Sequence, residues 1–220
     1  MTVTLPVTLR SSSAVAVATT EYGVFEAARI SSTTTATTSN KLTDSAGSFV
    51  TNAIAVGDVI KNTTTGKYAL VTAVDSATAL SVSADIFSSG DAYSIYPGTG
   101  YKLQQAWKEL LVQLDVTAAA TEVGDTLDVY VDMAIDDGTK WHNLIHFTQV
   151  VGNGGAKTFI ACIKNDNPGA SAVFATTSDA AAGATRQIGF GDRIRFRTVT
   201  VDATTTGNLS FTYSLKAFFK

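Results

Sequence analysis

Cysteine occurs once, histidine twice and proline three times in 220 residues. A single cysteine makes no internal disulfide, so a disulfide-stapled scaffold is excluded. Three Cys and His residues in all are too few for a four-ligand structural zinc site built from them. Charge is scarce as well: 16% of residues are charged, 16 basic against 19 acidic, for a formal net charge of -3. Disorder by charge excess is excluded, because such chains are poor in apolar residues and this one is 45% hydrophobic. No run approaches the roughly 20 apolar residues of a membrane-spanning helix. The longest greasy stretch, Val112 to Ala120, is broken by Gln113 and Asp115. The N-terminal MTVTLPVTLRSSSAVAVATT has no basic segment followed by a long apolar core, so a secretory signal is not expected and folding in a reducing cytoplasm is. What the chain does have is 33 threonines, with abundant Ser, Ala, Val and Gly. Most of these favour strands or turns over helices, which points to a β-rich, nearly neutral, soluble protein.

A Gly-Asp pair opens an alternating stretch four times: Gly57-Asp58, Gly90-Asp91, Gly124-Asp125 and Gly191-Asp192, the last preceded by Phe190. Glycine tolerates positive φ, aspartate bonds its own backbone in a turn, and a period-2 strand follows. The uneven spacing makes this recurrent turn chemistry rather than a solenoid repeat. Leu127, Val129 and Val131 share one strand face, with Asp128, Tyr130 and Asp132 on the other. Ile194 and Phe196 alternate with Arg193, Arg195 and Arg197. Leu209, Phe211, Tyr213 and Leu215 alternate with Ser210, Thr212, Ser214 and Lys216. Phe159, Ala161 and Ile163 interleave with Thr158, Ile160 and Cys162, which predicts a strand buried on both faces, with Cys162 a small core residue. Tyr101 to Leu114 fits either a helical face (Leu103, Trp107, Leu110, Leu111, Leu114) or a strand. The strand is favoured from about Trp107 onward, with room for a helical turn before it.

The polar tract Ser31 to Asn40 leads into a block closed by Pro97-Gly-Thr-Gly100, with its own strands at Val56–Asn62, Lys67–Asp75, Ala79–Ser83 and Ala92–Tyr96. The expected architecture is all-β: an antiparallel sandwich from residues 1–38 and 99–220, with a small β-barrel inserted at 39–98.

Few residues offer chemistry. His142 and His146 are four apart, and on a strand that spacing leaves them about 13 Å from one another, too far to share a metal. Asp132, Asp136 and Asp137 lack the further ligands of an EF-hand loop. Ala134 to Trp141 instead resembles the turn-stabilising Asp-box hairpin of β proteins, departing from it at Ala134 and Lys140, with Trp141 expected beneath the turn. Arg186, Arg193, Arg195 and Arg197 are the basic cluster. The chain is acidic and no stacking aromatics share the Arg face, so a solvated face or salt bridges to a neighbouring subunit are expected rather than nucleic-acid binding. Gly152 to Gly155 lacks the strand-to-helix context of a phosphate loop, and no serine sits in a nucleophile elbow. No catalytic, cofactor-binding or metal-ligating residue is therefore nominated, and no membrane partner is expected.

Leu42 to Phe49, Val56 to Asn62, Val71 to Leu80 and Phe87 to Ile95 together resemble a small β module of tailed-bacteriophage virion proteins. Leu127 to Val131, Trp141, Ile145 to Gln149 and Phe190 to Phe196 resemble phage structural proteins with jelly-roll folds. The resemblance implies a virion component, assembled in the host cytoplasm, that acts through surfaces and carries no cofactor. A capsid decoration protein, trimeric and bound to the major capsid protein, is the leading expectation. A neck, tail or fibre protein that binds glycan through Trp107, Trp141 or tyrosines is the alternative, and a polysaccharide hydrolase is a distant third. The terminal Phe218-Phe219 pair is expected to close the sandwich or dock on a neighbour.

Overall fold

The structure, a computed structural model, describes residues 6–103, 107–164, 179–186, 191–204 and 207–220. The described residues form seventeen strands and no helix, and the chain divides into two compact units, Met1–Ala18 with Tyr101–Lys220, and Thr19–Gly100. The protein is all-β.

The larger unit contains β1 (Val7–Val15), β9 (Tyr101–Lys102), β10 (Glu109–Ala118), β11 (Thr126–Ala134), β12 (His142–His146), β13 (Val150–Val151), β14 (Lys157–Lys164), β15 (Ala184–Thr185), β16 (Arg193–Val201) and β17 (Phe211–Phe219). One sheet runs β1-β17-β10-β14; in the other β15-β12-β11-β16 lie side by side, with β13 on β11 and β9 on β16. The long strands hop between sheets, from β10 to β11 and β12, back to β14, then β16, then β17. This nested order is that of a jelly-roll sandwich. Leu110, Val112, Leu114 and Val116 of β10, with Phe211, Tyr213, Leu215 and Ala217 of β17, are buried, as are Leu127, Val129 and Val131 of β11 and Ile194 and Phe196 of β16. Their period-2 spacing is what lets each strand bury one full apolar face.

The smaller unit contains β2 (Thr19–Tyr22), β3 (Ile30–Thr33), β4 (Lys41–Thr43), β5 (Val59–Asn62), β6 (Tyr68–Val74), β7 (Ala79–Val82) and β8 (Ala92–Tyr96). Six of these form a sheet in the order β3-β8-β5-β6-β7-β4. It curls until its ends meet, where Thr35 N donates to Thr43 O at 2.8 Å and Ala36 bridges Thr43. Leu42, Phe49, Ile60, Leu80, Tyr93 and Ile95 fill this small barrel. The unit begins at Thr19 rather than at the composition shift near 39: Thr19 Oγ1 accepts from Tyr68 N at 3.0 Å, and β3 pairs with β8 from Ile30↔Ile95 to Thr33↔Ala92. The polar Ser31 to Asn40 tract is thus partly a strand of the barrel.

Two sequence expectations need correction. β14 is not buried on both faces: it is the edge strand beyond β10, and Ile160 is 68% exposed. Cys162 is only partly buried. The strand expected from Trp107 starts at Glu109, and the possible helical turn at 104–106 lies outside the described residues, as does Phe190. The C-terminal aromatics close the sandwich through Phe219, which is buried with its ring 6.2 Å from Tyr101 and 5.6 Å from Trp107.

Candidate functional site

The polar chemistry of the larger unit gathers on the second face of β11, β12 and β16. Register sets this. Asp132 lies opposite Arg195, Tyr130 opposite Arg197 on one side and His146 on the other, and Ala134 opposite Arg193. The Asp-Tyr-Asp face of β11 and the arginine face of β16 are therefore the same face. Asp132 Oδ2 lies 3.5 Å from Arg195 Nε and 3.4 Å from Arg197 Nε. Arg197 also reaches Asp179 at 2.7 Å, and Arg193 reaches Asp137 at 2.7 Å. The Arg195 guanidinium sits 4.3 Å over the Trp141 ring and that of Arg197 4.0 Å over Tyr130. These arginines are neither a solvated face nor dependent on a neighbouring subunit; Arg193, Arg195 and Arg197 find acidic partners in their own chain. Burial opposes the charge on Arg197, but Asp132 and Asp179 more than offset it and hold its pKa above the ordinary value. Burial first, then the Asp128 charge, pushes the Tyr130 phenol up.

His146 is enclosed by this network. Its Nε2 lies 3.0 Å from Asp128 Oδ1 and its Nδ1 2.8 Å from Ala180 O, while the ring stacks on Tyr130 at 4.1 Å. Gln149 Nε2 donates to the other Asp128 oxygen at 2.8 Å. Both ring nitrogens face oxygens that only accept, so the doubly protonated ring satisfies both and a neutral tautomer satisfies one. The Asp-His pair has the look of an oriented general base. Where a base would meet a nucleophile, however, a main-chain carbonyl occupies the second nitrogen. His142, at the far end of β12, keeps a buried Nδ1 with no partner. The two imidazoles do not converge.

A cleft of about 290 Å³ opens beside His146, between Ile145–Thr148, Phe159–Cys162 and Gly183–Thr185. Cys162 borders it and donates from Sγ to Glu109 Oε1 at 3.4 Å. Burial, then the hydrogen bond to Glu109, pushes the thiol pKa up, away from the thiolate a nucleophile requires.

The hairpin expected at Ala134 to Trp141 is present as a turn. Asp136 Oδ1 accepts from Lys140 N at 2.9 Å, and Asp137 and Gly138 adopt φ of 60° and 90°. Three of the four Gly-Asp turns act as expected: Gly57, Gly90 and Gly124 have φ of 92°, 91° and 110°. Gly191 is not at positive φ; it is needed instead because a Cβ there would lie 1.7 Å from Ala134 O. Asp58 caps its turn by accepting from Ala55 N and Gly98 N, both at 3.0 Å. The roles of Asp128, Asp179 and Gln149 escaped sequence reading. The matching parity of Asp128-Tyr130-Asp132 and Arg193-Arg195-Arg197 was visible; that the two faces coincide was not.

No protein-family model matches the chain, and no curated protein matches it.

Proposed function

We propose that this protein is a structural component of a phage virion, a capsid decoration protein that binds the shell as a homo-oligomer and performs no catalysis. The observation that carries the reading is what the sandwich leaves outside. Val123, Val151 and Val201 are 77%, 46% and 46% exposed, and Val151 and Val201 both pair with Thr126. All three lie at one end of the second sheet, exposed apolar side chains of the sort that protein contacts cover. Groups that could do chemistry are meanwhile tied up: His146 between Asp128 and Ala180, Cys162 against Glu109, and the arginines against aspartates. A jelly roll carrying an inserted barrel suits a molecule that works by contact area, since strands display side chains on rigid faces. The trimer favoured from sequence belongs to this proposal, because shells are built by symmetric repetition.

The test uses shells of the phage that encodes the chain, assembled without it. Added protein is expected to bind saturably, at many copies per particle, and to behave as a trimer in light scattering. Val123→Asp with Val201→Asp should abolish shell binding while the circular dichroism spectrum stays β. A monomer that does not bind such shells would refute the proposal.

A further inference from the structure

We infer that Glu122, Asp125 and Asp202 form a calcium site at the end of the second sheet. One carboxylate oxygen from each lies within 4.8 Å of the other two, and they are the described residues whose acidic, His or Cys groups gather in this way. Strand pairing assembles them. Thr126 of β11 pairs with Val201 of β16, so Asp125 just before β11 and Asp202 just after β16 come side by side. Glu122 arrives through the turn in which Gly124 takes a φ of 110°.

Three carboxylates gathered for structural reasons alone would each be expected to have a donor. Asp125 has one for only half of its carboxylate. Its Oδ1 accepts from Ala203 N at 3.0 Å, while Oδ2 is buried with no partner and the residue is 0% exposed. An unsatisfied anionic oxygen sealed from water is costly, and the cost rises beside two more carboxylates. A divalent cation removes both penalties at once. The neighbours hold their carboxylates in place: Asp202 Oδ1 accepts from Thr204 N at 3.2 Å, and Thr204 Oγ1 donates to Glu122 Oε1.

The donors select the ion. All are hard oxygens, with no imidazole or thiolate, which disfavours zinc and copper. Calcium accepts irregular oxygen sets completed by water and carbonyls, whereas magnesium demands near-ideal octahedral geometry. Three anionic ligands contributed by two strand-end turns fit the first better. Calcium would then pin the start of β11 to the end of β16 beside the exposed Val123, Val151 and Val201, independently of what the protein binds.

The experiment treats the full chain with EDTA, removes the chelator, and titrates calcium chloride by calorimetry and thermal unfolding. One-site binding is expected, with a rise in Tm of roughly 5–10 °C when free calcium exceeds its Kd a hundredfold. Glu122→Gln and Asp202→Asn, both at partly exposed positions, should fold, raise the calcium-free Tm by relieving repulsion, and lose the calcium response. Asp115→Asn, on β10, should keep the response. No heat of binding and no Tm shift at millimolar calcium would overturn the assignment. So would an equal response to magnesium, or a calcium response that survives Glu122→Gln with Asp202→Asn.

Discussion

Asp132→Asn keeps the shape of the side chain and deletes the charge shared by Arg195 and Arg197. Asp132 is 3% exposed; besides the two guanidinium groups, its Oδ1 accepts from Asn143 Nδ2 at 3.2 Å. Removing one partner of a buried ion pair costs about 3–5 kcal/mol, mostly because the other charge is left uncompensated. Two features lower that here. Arg197 retains Asp179 at 2.7 Å, and each guanidinium keeps an aromatic face worth ~0.5–2 kcal/mol. The expected loss is therefore ~2–3 kcal/mol. Both tryptophans, Trp107 and Trp141, lie in the larger unit, so urea unfolding followed by tryptophan fluorescence reports on that unit. The midpoint should fall with the slope unchanged. Lys102→Ala is the control: its 3.9 Å contact with Asp137 joins side chains 64% and 68% exposed, and such solvent-screened pairs add little to stability. Adding Arg195→Met to Asp132→Asn should recover part of the loss, since one of the two guanidinium charges that had shared Asp132 goes with it. A loss from Asp132→Asn no greater than the control's would refute the view that this network is a buried, mutually compensated unit.

Two further expectations concern the small barrel. Tyr93 OH donates to Asp44 Oδ2 at 2.8 Å, and Asp44 is 1% exposed. Burial pushes the Asp44 carboxyl up, but hydrogen bonds from Ser32, Ala46 N and Tyr93 together hold it below its ordinary value. A folded value below the unfolded one means that this stabilisation is complete above about pH 4 and is lost as pH falls through the folded value. Tyr93→Phe should move acid unfolding of the barrel to higher pH, read from the amide NMR signals of Val59–Tyr96; an unmoved midpoint would count against it. At the Gly57-Asp58 turn, a Cβ on Gly98 would lie 1.8 Å from Gly57 O, whereas one on Gly57 meets nothing within 4 Å but sits at φ +92°. Gly98→Ala should unfold the barrel and Gly57→Ala should cost about 1–3 kcal/mol, a ranking that equal melting temperatures for the two variants would reverse.

Much of the fold was legible because strands and turns are written locally. The barrel strands expected at Val56–Asn62, Lys67–Asp75, Ala79–Ser83 and Ala92–Tyr96 occur as Val59–Asn62, Tyr68–Val74, Ala79–Val82 and Ala92–Tyr96. The reading of β14 failed because alternation reports which residues are apolar, not which neighbour a strand has. Ile160 interrupts the polar parity of that strand, yet it is 68% exposed. The candidate sites were less legible still, since each joins residues distant along the chain.

The sequence by itself determined the all-β class, three of the four Gly-Asp turns and the apolar face of each long strand. Those features follow from φ preferences and a two-residue period, which neighbouring residues suffice to express. Tertiary structure decided the rest. The pairing of β11 with β16 turned two half-polar strands into one compensated charge network, and it set Asp125 beside Asp202. Strand register is fixed by burying apolar faces against a second sheet, and a shift of one residue would send every one of these charges to the opposite face. The scarcity of histidine, cysteine and net charge set the limits of the chemistry, and the register placed the little that is present.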